Sequence, residues 1–133
     1  MKNKNRYFLA ELIGSCFLVM IIVGSGLMAE NLTNDTAVML IANTLATGAG
    51  LFVLITVFAN ISGAHFNPFV SLAMFLRKKI TGKLLIIYIP AQILGCLLGV
   101  MLANVFFEHN ILELSTKNRD GFHIFLSEII ATF

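Results

Sequence analysis

The 133 residues are 58% hydrophobic and 12% charged, with nine Lys and Arg against seven Asp and Glu and a formal net charge of +2. At a mean hydropathy of +0.89, so short a chain carries more apolar surface than one small globular core can hide, which makes a bilayer its solvent. The small, scattered charge argues against nucleic acid as a partner.

Phe8 to Met28, with Glu11 as its one acid, has about the length that a hydrocarbon core of roughly 30 Å requires. The basic start Met1 to Arg6 also suits a signal peptide, but the run is long and further apolar segments come after it, so an uncleaved helix is expected. After the polar break Glu30 to Thr36, a second span is expected over 37–59, with no charge and with Ala46, Gly48, Ala49 and Gly50 as small residues that let helices approach. The triplets at Asn31 and Asn34 match a glycosylation sequon of a kind that arises often by chance. A third span is expected over 84–107, with Gly95 and Gly99 at GxxxG spacing and with Pro90 and Gln92 as groups that need protein neighbours in lipid. Cys16 and Cys96 fall inside these runs, without metal-site spacing or disulfide density, and read as structural thiols.

Lys2, Lys4 and Arg6 precede the first span, and Arg77, Lys78, Lys79 and Lys83 lie between the second and third. The positive-inside rule then puts the amino terminus and the 77–83 loop in the cytoplasm and places 30–36 and 108–121 outside.

The segment 62–76 does not fit a simple bundle, because its apolar stretch from Phe66 to Leu76 is about half the length needed to cross. Asn67 suits an N-cap and Pro68 the first helical position, while the Arg77-Lys78-Lys79 group suits the negative end of a helix dipole. The expected picture is a loop that dips to mid-membrane, with Gly63 and Ala64 in a tight extended descent, and returns as a half-helix over 67–76. Asn67 would offer a side-chain donor to a passing water or hydroxyl compound. The plainer alternative is that Asn67-Pro68 caps an ordinary short interfacial helix.

Context favours the first picture. Ser62-Gly-Ala-His-Phe-Asn-Pro-Phe-Val-Ser-Leu-Ala73 closely resembles the first signature of the aquaporin, or major intrinsic protein, family, usually Ser-Gly-x-His-x-Asn-Pro-Ala-Val-Thr. The likeness extends in order over the acid-bearing first helix, the Gly-rich second, the signature loop and the third helix with Ala91-Gln92 and Gly95. The fold it implies is an all-α membrane protein, the first repeat of the aquaporin fold over residues 1–115 with three transmembrane helices and a re-entrant half-helix.

Leu9-Ala-Glu-Leu-Ile-Gly-Ser15 also aligns with Leu126-Ser-Glu-Ile-Ile-Ala-Thr132, so 121–133 is expected to be the start of a fourth helix and of an inverted second repeat. On that reading the chain is an amino-terminal half that stops as its second unit begins, and one copy alone does not complete a selective pore. Two copies in opposite orientations would rebuild one, but the charge bias argues against dual insertion.

The resemblance implies a passive channel for water and small neutral solutes in the cell membrane, a homotetramer when full length, with no cofactor or metal. No nucleophile with a base, metal cluster or phosphate loop marks an enzyme in the sequence. The alternative is a truncated or vestigial membrane assembly subunit without transport.

Residue by residue, the resemblance makes Asn67 the pore-centre donor and Pro68 the half-helix start. His65 lines or supports the vestibule, or is a buried, hydrogen-bonded structural histidine. Glu11 within a span must meet donors or be protonated. The family's equivalent acid braces the signature loop, Glu128 corresponds to it in the second repeat, and a proton relay is the sharper alternative. Thr47 occupies a filter position that is a bulky aromatic in water-selective members, and a smaller residue there implies glycerol-sized solutes. The stretches 23–30 and 42–48 resemble a bacterial branch associated with neutral metalloid acids. Phe69 departs from the usual Ala and puts a ring beside the half-helix tip, where it would narrow the pore or repack against a second signature loop.

Overall fold

A computed structural model describes residues 2–112 and 121–132. The expected ends of the two repeats, at residue 115 and at Phe133, and part of the 108–121 loop lie outside the described residues. Among the described residues the fold is all-helical: α1 is Lys2–Leu32, α2 Thr36–Ser62, α3 Pro68–Leu76, α4 Gly82–Phe106 and α5 Phe122–Thr132. Three of these, α1, α2 and α4, are long and apolar enough to cross a membrane. Against the apolar runs that predict them, α1 starts six residues earlier and ends four later, α2 starts one earlier and ends three later, and α4 starts two earlier and stops one short. Hydropathy marks the lipid-solvated part of a helix, whereas its ends are set by capping. Asp35 caps α2, its Oδ1 accepting from the Ala37 N–H at 2.8 Å, and Thr81 caps α4, accepting from the Leu84 N–H.

Close contacts give the helix directions. Gly95 lies against the Leu12 carbonyl, Ser15 and Cys16, and Gly99, one turn on, lies against Cys16 and Met20. Both contacts climb together, so α1 and α4 are parallel, and at both glycines a Cβ would strike the α1 backbone. The GxxxG spacing is thus spent inside the chain, on the α1–α4 seam.

Against α1, α2 runs the other way: Gly26 faces Asn43, Gly50 faces Ile21, and Ser62 reaches Glu11. The Asn43 Nδ2 donates to the Ile22 carbonyl at 2.9 Å, satisfying a polar side chain in the middle of an apolar surface. α3 opposes α4, with Ser71 beside Gln92 and Phe75 beside Gly82.

These directions bring Lys4, Arg6, Arg77, Lys78, Lys79 and Lys83 to one end of the bundle, and Glu30, Asp35 and Glu108 to the other. α5 packs against none of the other four helices among the described residues. Its residues 122–130 are exposed, apart from the half-buried Ile124.

Candidate functional site

The site begins where α2 stops. Gly63 ends the helix in the left-handed region (φ 91°), its N–H bonded to the Ala59 carbonyl at 3.0 Å, a conformation that costs glycine nothing. The extended descent expected for Gly63 and Ala64 does not form. Ala64 (φ 52°) and Phe66 (φ 50°) are also left-handed, at a cost of about 1–2 kcal/mol each for residues with a Cβ.

The cause is Glu11. Its carboxylate draws the consecutive N–H groups of His65 (3.1 Å) and Phe66 (2.7 Å) to one point, which an extended strand cannot present. It also accepts from the Ser62 hydroxyl and from the Gln92 Nε2 at 2.7 Å. Glu11 is wholly buried, and four donors meet the requirement that a carboxylate in a span imposes. Hydrogen bonds to a charged group contribute about 1.5–3 kcal/mol each, enough to offset the two strained residues.

Other elements lock the same turn. The Phe66 ring fills the space left by the missing side chain of Gly14 and meets Phe58 edge-on, with ring centroids 5.8 Å apart. Phe58 is one turn before the end of α2, so the chain has doubled back towards the bundle interior by the time it reaches Phe66. Tyr88 donates to the Ser62 carbonyl at 2.5 Å and packs edge-on against the His65 ring. Ser71 accepts from the Gln92 Nε2 at 2.8 Å and meets the His65 Nδ1 at 3.0 Å.

A serine hydroxyl beside an imidazole has the outline of a nucleophile and its base. Here Ser71 is wholly buried, 7% of His65 is accessible, and both are bonded into the Glu11–Gln92 network, so no substrate carbonyl can approach. His65 is buried and hydrogen-bonded. Among the described residues, no three His, Cys, Asp or Glu side chains gather as they would around a metal ion.

From this anchored turn α3 runs back out. Asn67 is its N-cap (φ −148°, ψ 127°), the Oδ1 accepting from the Phe69 N–H at 2.8 Å, and Pro68 stands at the first helical position. That use of Oδ1 leaves the Nδ2 as the outward donor of an exposed side chain. Phe69 is 71% exposed at the tip. The structure therefore gathers Glu11, Gly63, Ala64 and His65 into the anchor and leaves Asn67 and Phe69 exposed.

Thr47 stands apart, roughly four turns before the end of α2. It is half-buried, with its hydroxyl donating to the Asn43 Oδ1 at 3.4 Å. Glu128 is exposed on α5.

Four contributors were not singled out by sequence: Ser71, Tyr88, Gly14 and Phe58. Tyr88 and Gln92 are four apart and so share a face of α4, as do Glu11 and Gly14 on α1, a periodicity that carries the signal.

The profile of the Major intrinsic protein family matches residues 1–133. The chain is 45% identical over 128 residues to the aquaglyceroporin AqpS of Rhizobium meliloti (strain 1021), covering 96% of this chain and 55% of that one. It is 42% identical over 97 residues to aquaporin TIP1-2 of Musa acuminata, covering 71% and 38%. It is 34% identical over 105 residues to aquaporin NIP1-2 of Oryza sativa subsp. japonica, covering 79% and 34%. The chain thus spans about half the length of the first of these relatives and about a third of the other two.

Proposed function

The chain belongs to the major intrinsic protein family, and from that premise we propose that it supplies the first-repeat half of a passive membrane channel for water and small neutral solutes. The observation that most supports this reading is the pairing of a fixed anchor with an open tip. Four donors on Glu11 hold the loop, and the half-helix it starts leaves the Asn67 amide exposed, with one N–H-bearing group to offer. The positive end of α3 adds to that donor and disfavours cations at the same point. Such a site binds an oxygen weakly and releases it, as conduction requires.

In this reading residues 1–115 form one repeat and 121–133 open a second, with Glu128 in the place that Glu11 holds in the first. The amino terminus and the 77–83 loop lie in the cytoplasm of a multi-pass cell-membrane protein, which assembles as a homotetramer. The small Thr47 favours a wide polar opening for glycerol-sized solutes, with which the name aquaglyceroporin borne by the Rhizobium meliloti relative agrees, and the stretches 23–30 and 42–48 extend the reading to neutral metalloid acids. The Phe69 ring narrows the passage at the tip.

The test is stopped-flow light scattering on vesicles holding the protein expressed from its own gene. Water and glycerol should equilibrate faster than in empty vesicles. Asn67→Asp keeps the capping oxygen, removes the donor and adds a charge, so it should slow both by about fivefold or more. Rates equal to those of empty vesicles would favour the assembly-subunit reading instead.

A further inference from the structure

One feature of the surface takes no part in the anchor or the tip. The parallel run of α1 and α4, and the opposite run of α3, collect Lys4, Arg6, Arg77, Lys78, Lys79 and Lys83 at one end, all exposed. No carboxylate pairs with any of the six among the described residues. The acids Glu30, Asp35 and Glu108 belong to the opposite end and Glu11 is buried.

The turn that carries three of these cations is tight. Lys78 sits at φ 57°, with the Lys78 N–H bonded to the Phe75 carbonyl and the Lys79 N–H to the Met74 carbonyl, both at 2.9 Å. The two lysines are therefore held at the end of a short helix instead of trailing on a flexible loop. Directly before them Leu76 is 71% exposed, an apolar side chain beside a cluster of cations. That combination belongs at the boundary between acyl chains and headgroups, where apolar burial and attraction to anionic lipid act together.

We propose that this basic end is a binding surface for the headgroups of anionic phospholipids. A lipid is favoured over a free phosphate ion because Lys4, Arg6 and Lys83 stand at the ends of helices long and apolar enough to cross a membrane, and Ile86, one turn beyond Lys83 on α4, is exposed as a seat for acyl chains below the charges. Juxtamembrane clusters of four to eight Lys or Arg attract anionic lipid in this way.

The test uses electron spin resonance of the reconstituted protein with spin-labelled phosphatidylglycerol or phosphatidylcholine, reading the fraction of each lipid immobilised at the protein surface. The expected preference for phosphatidylglycerol is about fivefold. The triple substitution K78Q/K79Q/K83Q should bring the ratio close to one, while Glu108→Gln at the other end should leave it unchanged. Inorganic phosphate at an ionic strength matched with chloride should not abolish the preference. An unchanged ratio in the triple variant would overturn the proposal. Loss of the preference with phosphate but not chloride would overturn the lipid as occupant in favour of the free ion.

Discussion

By composition α2 and α4 are near twins, two apolar helices of 27 and 25 residues without an acidic residue. Their fates differ. α4 buries Tyr88, Ala91, Gln92, Gly95, Gly99, Ala103 and Asn104, whereas the buried residues of α2 are Leu54 and Ser62, the latter at its very end. In lipid an apolar side chain gains little by meeting another, so association is set by close backbone approach and by polar groups that need partners. α4 has both, in the Gly95–Gly99 seam against α1 and in the Gln92 and Tyr88 bonds to the loop. α2 has small residues too, but Gly48 faces open space. Gly50, by contrast, meets the Ile21 side chain, so a small residue on α2 makes an interface only where it faces α1.

The sharpest way to break this contrast is to remove what α4 and the loop share. Glu11→Ala leaves the His65 and Phe66 N–H groups buried without their acceptor and removes one of the two acceptors of the Gln92 amide, and should destabilise the protein by about 4 kcal/mol. Thermal unfolding in detergent micelles reads the loss, and the variant should also lose the ordering of residues 63–66. Next comes Gly95→Leu, which drives a side chain into the Leu12 carbonyl and should cost about 3 kcal/mol by prising α1 from α4. The smallest effect should come from the same kind of change on α2. Gly48→Ala meets nothing within 4 Å and should cost nothing, the better helix propensity of Ala adding at most about 1 kcal/mol. A large loss there would mean that α2 packs as α4 does.

Much of this was legible in the sequence because it rests on local chemistry. The half-helix has the bounds that Asn67-Pro68 at one end and Arg77-Lys78-Lys79 at the other imply, and the demand that Glu11 meet donors comes from burying a carboxylate anywhere. The loop between them was not legible. Left-handed Ala64 and Phe66 are disfavoured by their own chemistry and are stabilised from far along the chain, by Glu11 and by the space at Gly14. The glycine pair announced a close approach, but the partner helix, and that it runs parallel, depend on three-dimensional register. Ser71 looked like one more small hydroxyl in a helix, and its bonds to Gln92 and His65 span different elements.

The proposed function requires α3 to begin deep in the membrane and to end at the basic surface. Site-directed spin labels at Phe69→Cys and Leu76→Cys, in a background with Cys16 and Cys96 replaced by serine, measure that depth in bilayers. The readout compares accessibility to oxygen with accessibility to a polar nickel chelate. The label at 76 should lie at the headgroup boundary and the label at 69 about 10 Å deeper, as seven residues of helix require. Two labels at equal depth at the surface, or a label at 69 at the opposite boundary, would contradict a helix that enters and returns.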